Sequence, residues 1–271
     1  MKMTGAQAVI ECLKREQVQV VFGYPGGAVL TLYDELYKAK FPHVLTGHEQ
    51  GAVHAADGYA RATGKPGVCF ATSGPGVCNM VTGIATANMD SIPLVVISGQ
   101  VATPLIGRDS FQEADISGIT TPITKHNYLV KNVKELPRVL KEAFYIATTG
   151  RPGKVLVDIA KDVFDTPFEV EYPEEVHLRG YQGCHVGDEA DVDRAVEAIE
   201  KAKCPVILTG GGVVISNMSD RLKHIVQQMH VPVVTTLMGK GCVPDTYDAH
   251  LGMVGMHGSY AANMAVTKCD L

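Results

Sequence analysis

Gly67-Val68-Cys69-Phe70-Ala71-Thr72-Ser73-Gly74-Pro75-Gly76 is the stretch from which the fold can be read. Residues 67–72 form a short run of apolar and β-favouring side chains, as in a strand buried on both faces. Ser73-Gly74-Pro75-Gly76 then makes a tight turn into a helix that should run to about Met89. A second apolar run, Pro93-Leu94-Val95-Val96-Ile97-Ser98, follows that helix. Strand, glycine turn, helix and strand together make the unit of a parallel sheet covered by helices on both faces.

The same alternation extends outward in both directions. Upstream, Thr4 can cap a helix running to about Glu16, and Val18 to Phe22 is a strand run. Gly23-Tyr24-Pro25-Gly26-Gly27 opens a second helix at about Ala28, and Val44-Leu45 is a short strand. Downstream, Gly99 to Ile123 lacks a period, and a loop of that length in a compact domain is usually functional or mobile. Val133 to Thr149 reads as a helix and Val155 to Ile159 as a closing strand. The chain from Asp165 to His185 is rich in Pro and Glu and reads as a linker. A second α/β unit follows: helix Ala190–Lys201, strand Val206–Leu208, Gly210-Gly211-Gly212, helix Ser219–Met229 and strand Val231–Thr235. The expected fold class is α/β, with domain one over 1–165, a linker over 166–187 and an incomplete Rossmann-like domain over 188–271. A further strand is expected to start near Cys269-Asp270-Leu271.

The 271 residues are 46% hydrophobic and 20% charged with net charge −5, which suits a soluble globular protein with ample core. Mild acidity argues against nucleic acid or an anionic membrane as the main partner, since both call for a basic patch. Apolar runs break well before membrane-spanning length, and the N-terminus lacks an apolar signal core. Seven cysteines (12, 69, 78, 184, 204, 242 and 269) are dispersed without a C-x-x-C, as expected of reduced thiols in the cytoplasm.

Within Gly47 to Arg61, Glu49 follows the Val44-Leu45 run and precedes a helix rich in small residues: Ala52, Ala55, Ala56, Gly58 and Ala60. A carboxyl group enclosed there is driven towards a raised pKa unless something pairs with it, which suits proton exchange with a bound ring nitrogen. It equally suits a helix-start carboxylate complementing the helix dipole, and the stretch alone leaves the two readings even. The glycine turns at 23–27, 74–76 and 210–212 stand where parallel sheets bind ligands, yet each by itself is more often a plain turn. None is a dinucleotide fingerprint, because Asn79 stands where the third glycine of 74–79 belongs and 210–212 runs into Val213-Val214-Ile215. Nor does the chain carry a P-loop, the H-E-x-x-H of zinc proteases or a Gly-x-Ser-x-Gly elbow.

Taken together and in order, the motifs are far more specific. Tyr24-Pro25-Gly26-Gly27-Ala28 precedes Gly47-His48-Glu49-Gln50, Ala56-Asp57-Gly58-Tyr59-Ala60-Arg61 and Thr72-Ser73-Gly74-Pro75-Gly76. Phe111-Gln112-Glu113-Ala114-Asp115 and Gly150-Arg151-Pro152-Gly153 come next, then Thr236-Leu237-Met238-Gly239-Lys240-Gly241 and Leu251 to Gly258. This order resembles the large catalytic subunit of acetolactate synthase (acetohydroxyacid synthase), a thiamine-diphosphate enzyme, over the whole chain.

The resemblance implies that residues 1–165 are a thiamine-diphosphate pyrimidine-binding domain and that 188–271 begin a central FAD-binding-like domain. It makes Glu49 the acid that exchanges a proton with the aminopyrimidine ring, and places Tyr24, Pro25, Gly26, Gly27 and Ala28 against that cofactor. Phe111 and Gln112 match residues beside the reacting centre. Arg151, Gly210, Gly211, Thr236, Leu237, Met238, Gly255, Met256 and His257 match residues at FAD, which acts in that family as a structural cofactor. The implied reaction decarboxylates pyruvate and joins the product to a second 2-keto acid, pyruvate or 2-ketobutyrate, on the way to valine, leucine and isoleucine. The implied assembly is a homodimer with its active site at the subunit interface, with a small regulatory subunit as a further partner.

Lys154 and Ala160 stand where close relatives are expected to have proline, and Arg108 is at a variable position; Lys125 and His126 are given no role. The family's diphosphate-binding domain, with its Gly-Asp-Gly and downstream Asn for Mg2+, has no counterpart in these residues. No metal ligand is therefore expected on this chain, and the 271 residues alone are expected not to catalyse the reaction. The alternatives are another thiamine-diphosphate enzyme (pyruvate oxidase, glyoxylate carboligase or catabolic acetolactate synthase) and a non-catalytic dimerising module.

Overall fold

The computed structural model describes residues 2–183 and 187–271. Cys184 and the part of the expected linker at 184–186 lie outside the described residues. The other six cysteines are free thiols. The chain divides into two compact units, 1–185 and 186–271.

In unit 1, strand β1 (Lys2–Thr4) leads into helix α1 (Gly5–Arg15). Thr4 and Gln7 form a reciprocal capping box there, so the expected N-cap is present. Strand β2 (Val21–Gly23), helix α2 (Leu30–Lys38), strand β3 (His43–Leu45) and helix α3 (Glu49–Thr63) follow. Gly64 ends α3 with φ of 70°, a left-handed cap that glycine adopts without a Cβ penalty. Strand β4 (Gly67–Ala71) then precedes two helices, α4 (Pro75–Cys78) and α5 (Val81–Asp90), in place of the single helix expected. The Met80 N–H bonds to Val77 O, a tight turn that separates them.

Strand β5 (Leu94–Gln100) is followed by the aperiodic stretch, which holds one short helix, α6 (Ile116–Thr120). Strand β6 (His126–Val130), helix α7 (Leu136–Thr148), strand β7 (Lys154–Ala160), helix α8 (Lys161–Asp165) and strand β8 (Pro167–Glu169) complete the unit. Strand β6 was not expected, because its polar residues His126 and Asn127 hide the apolar signal of a sheet edge. Six strands form a parallel sheet in the order β3-β2-β4-β5-β7-β6.

The pleat sends alternate residues to two cores. Val68, Phe70, Val95, Ile97, Val155, Val157 and Ile159 join α1, α2 and α7 in one; Cys69, Ala71, Leu94, Val96 and Leu156 join α3 and α5 in the other. Helices therefore cover both faces, as the fold class requires.

The described residues 166–183 depart from the linker expectation. β8 pairs antiparallel with β1, Phe168 is 7% exposed, and Tyr172 and Leu178 pack on the first core. Pro and Glu mask the periodicity there, but spaced single apolar residues suffice to anchor an irregular segment.

Unit 2 holds helix α9 (Glu189–Lys201), strand β9 (Ile207–Thr209), helices α10 (Gly211–Ile215) and α11 (Ser219–Met229), and strand β10 (Val233–Thr235). Strand β11 (His250–Met253) and helix α12 (Tyr260–Lys268) follow, neither of which was expected. The three strands are parallel in the order β11-β10-β9, and residues 270–271 run beside Cys204 and Val206 through two backbone hydrogen bonds.

Candidate functional site

In unit 1 the chain leaves β2 for β3 on one side and then returns to place β4 on the other side of β2. The strand order thus reverses between β2 and β4, and ligands of open parallel sheets bind at the carboxyl ends of strands at such a reversal. Residues 24–28 and 72–76 emerge there side by side. Thr72 ties them together, its Oγ1 accepting the Ala28 N–H at 3.2 Å. A Cβ on Gly26 would lie 2.5 Å from the Thr72 side chain, and one on Gly76 would lie 2.7 Å from Thr72 Cγ2. Both glycines are therefore required by close approach.

Glu49 stands beside this crevice as the first residue of α3, with 8% of its surface exposed. His48 caps the helix, its Nδ1 accepting the Gln50 N–H at 3.1 Å. The Asn79 side-chain amide donates to Glu49 Oε2 at 2.9 Å, so the condition that something pairs with this carboxyl group is met. Oε1 lies 3.4 Å from the position of a Gly76 Cβ and makes no hydrogen bond to a described residue, which leaves an acceptor beside Gly76. Tyr33 feels the same enclosure: its phenol is pushed well up, first by burial and then by the charges of Cys69 and Glu49.

The aperiodic stretch also reaches this place. Gly74 has φ of 55°, and a Cβ there would fall on the Gln112 carbonyl. Gln112 itself takes φ of 59°, and Glu113 holds the turn by accepting N–H groups of Gly107, Arg108 and Ser110. Phe111 is 88% exposed, and Tyr24 is 42% exposed in the loop after β2. Glu49, Tyr24 to Ala28 and Phe111-Gln112 are thus gathered at one end of the unit 1 sheet. Arg151 is not with them. It precedes β7 at the amino end of the sheet, its Nε donating to Ser91 Oγ at 2.7 Å.

The remaining candidates lie in unit 2, and each follows one of its strands. Gly210 and Gly211 follow β9, Thr236 to Met238 follow β10, and Gly255 to His257 follow β11. A Cβ on Gly211 would lie 3.0 Å from Met238 Cβ, and one on Gly210 would lie 3.5 Å from Thr236 Oγ1. Asn263 braces Gly255 from α12, bonding its N–H at 2.9 Å and its carbonyl at 3.0 Å. Thr235 Oγ1 is buried without a partner, Leu237 is 69% exposed and Met256 is 91% exposed. Close backbone, an orphaned hydroxyl and exposed apolar side chains at the carboxyl ends of a parallel sheet fit a dinucleotide-type ligand. Among the described residues no group of three or more His, Cys, Asp or Glu could hold a metal ion.

Residues 3–119 match the family model of the thiamine pyrophosphate enzyme N-terminal TPP binding domain, and 192–271 match that of the thiamine pyrophosphate enzyme central domain. The chain belongs to the thiamine pyrophosphate enzymes. It is 52% identical over 272 residues to the probable acetolactate synthase large subunit of Methanocaldococcus jannaschii, covering 99% of this chain and 46% of that protein. Identity is 49% over 271 residues to the acetolactate synthase large subunit of Corynebacterium glutamicum, covering 100% of this chain and 43% of that protein. The Escherichia coli acetolactate synthase isozyme 3 large subunit is 50% identical over 272 residues, covering 99% of this chain and 47% of its own length. The chain spans less than half the length of these relatives.

The site beside Glu49 Oε1 lies within the residues that match the N-terminal TPP binding domain. Two residues with no role assigned from sequence help to build it. Thr72 joins the two loops, and Asn79 holds the carboxyl group. Asn79 had one legible signal, a polar side chain in place of the third glycine of a fingerprint.

Proposed function

We propose that this chain contributes the aminopyrimidine-binding part of an acetolactate synthase active site and part of its FAD site. The observation that carries the reading is Glu49: an enclosed carboxyl group, held through Oε2 by Asn79, with Oε1 left as an acceptor beside Gly76. Bound there, thiamine diphosphate supplies the carbanion chemistry that decarboxylates pyruvate and links it to a second 2-keto acid. The protein's part is positional and electrostatic. Asn79 fixes the carboxyl rotamer, Glu49 Oε1 exchanges a proton with the ring nitrogen, and the loops at 24–28 and 72–76 exclude water from that exchange.

Gln112, whose carbonyl lies against Gly74, and the exposed Phe111 would meet the second keto acid. Products would be 2-acetolactate with pyruvate as acceptor and 2-aceto-2-hydroxybutyrate with 2-ketobutyrate, in branched-chain amino-acid synthesis in the cytoplasm. FAD would lie against Gly210, Gly211, Thr236 to Met238 and Gly255 to His257 of unit 2. Mg2+ and the diphosphate would be held by residues other than these. A homodimer and a small regulatory subunit complete the proposal, in keeping with the "large subunit" names of the relatives.

The test is Glu49→Gln in the enzyme that carries this chain, measured as acetolactate formation from pyruvate. Loss of proton exchange should lower kcat by about 100-fold or more, within the range for a positioned acid–base group. Activity within about threefold of wild type would refute the assignment. Asn79→Ala should give a smaller loss, because the carboxylate remains but its orientation is released.

A further inference from the structure

The amino end of the unit 1 sheet holds a second built cavity, of ≈ 350 Å³, lined by Asn88, Ser91, Lys125, Arg151, Lys154 and three less polar neighbours. Three cations meet in it and its lining contains no Asp or Glu. Lys154, the first residue of β7, is only 2% exposed and donates from Nζ to Asn88 Oδ1, which leaves two of its three N–H groups without a described protein acceptor. Arg151 spends Nε on Ser91 and keeps both terminal amino groups for other partners. Lys125 differs. Its ammonium is saturated by Ile146 O at 2.6 Å, Thr149 O at 2.7 Å and the Tyr181 hydroxyl at 2.8 Å, capping the carboxyl end of α7. It adds charge to the cavity without offering a donor.

An enclosed ammonium beside two like charges is costly to keep unless an anion neutralises it. We propose that this cavity binds a phosphate-type oxyanion, with Lys154 and Arg151 donating hydrogen bonds and Lys125 supplying a third positive charge. The proposal does not rest on the thiamine site, which lies at the opposite end of the sheet. It goes beyond the FAD contact that the family resemblance implies for Arg151, because it makes Lys154, a residue at which this chain departs from its expected family pattern, a ligand donor. The oxyanion can come from free phosphate or from the diphosphate of a dinucleotide.

Proton uptake follows from the same geometry. Lys154 is pushed down to about 8, first by burial and then by Arg151 and Lys125. Facing groups leave no carboxylate to oppose this: α5 offers neutral Asn88, and its Asp90 is paired with Arg61 at 2.8 Å. From the strand beside β7, Leu94 is apolar. A bound anion requires the charged form, so affinity should be greatest below pH 8 and fall above it.

Calorimetric titration of the 271-residue chain tests this. Inorganic phosphate at pH 7 should bind saturably at one site, and Lys154→Met and Arg151→Gln should each weaken it by about tenfold or more. Lys65→Met, an exposed lysine elsewhere, should leave it unchanged. Sulfate, whose charge is constant, should bind about tenfold more weakly at pH 9 than at pH 7, and Lys154→Met should abolish that pH dependence. Absence of saturable binding, or unchanged affinity in the exposed-site variant Arg151→Gln, would overturn the proposal even if Lys154→Met fails to fold. FAD that displaces phosphate identifies the dinucleotide as the source; FAD that binds without displacing it identifies free phosphate. Either supports the oxyanion site, and neither bears on Glu49.

Discussion

At the scale of single residues, burial sets what charge can do. Glu49 is enclosed and receives one hydrogen bond from Asn79, whereas Asp158 is enclosed more fully and receives two. Asp158 is 1% exposed, accepts from Ser98 Oγ at 2.7 Å and Gln100 Nε2 at 2.9 Å, and is still pushed up to about 6 by burial. The two hydrogen bonds act in the opposite direction and are outweighed. A carboxyl whose folded pKa exceeds its unfolded value holds its proton longer when folded, so its contribution to stability is greatest below about pH 4. That contribution declines as pH rises to about 6, by an amount on the order of 3 kcal/mol. Asp158→Asn, uncharged throughout, should lack this decline. Urea midpoints of wild type and variant between pH 4 and 7 measure it, and parallel curves would contradict it.

At the scale of elements, small residues set how closely α3 and α5 approach. A Cβ on Gly83 of α5 would overlap the Val53 side chain of α3, which is fully buried. Gly83→Ala gains about 1 kcal/mol of helix propensity but forces an overpacked contact that costs about 1–3 kcal/mol. The contact should win, giving a net loss of stability. Adding Val53→Ala should recover part of that loss, a coupling that a double-mutant cycle in denaturant reads directly. Additive effects would show that the helices can separate. The helix–strand alternation of both units was legible in the sequence because its periods are local. The β6 and β11 strands were not, because neither has a continuous apolar run: His126 and Asn127 open β6, and His250 and Gly252 interrupt β11, so pairing with β7 and β10 decides them.

At the scale of the whole molecule, the first unit closes on itself through residues that carry no periodic signal. β8 pairs with β1 across the length of unit 1, and Phe168, Tyr172 and Leu178 pack on the core shared by α1 and α7. A chain of residues 1–165 should therefore be less stable than one of residues 1–185 by about 3–5 kcal/mol, the scale of one buried aromatic with its neighbours. Equal melting midpoints for the two would refute this. The sequence by itself determined the α/β class, the glycine turns, the ordered motifs that resemble acetolactate synthase and the identity of Glu49. Those are matters of local period and residue type. Tertiary structure alone decided that Thr72 and Asn79 complete the Glu49 site, that Arg151 stands at the far end of the sheet, and that it meets Lys125 and Lys154 there. Such contacts join residues tens of positions apart, and a parallel sheet, whose order differs from chain order, fixes which of them converge.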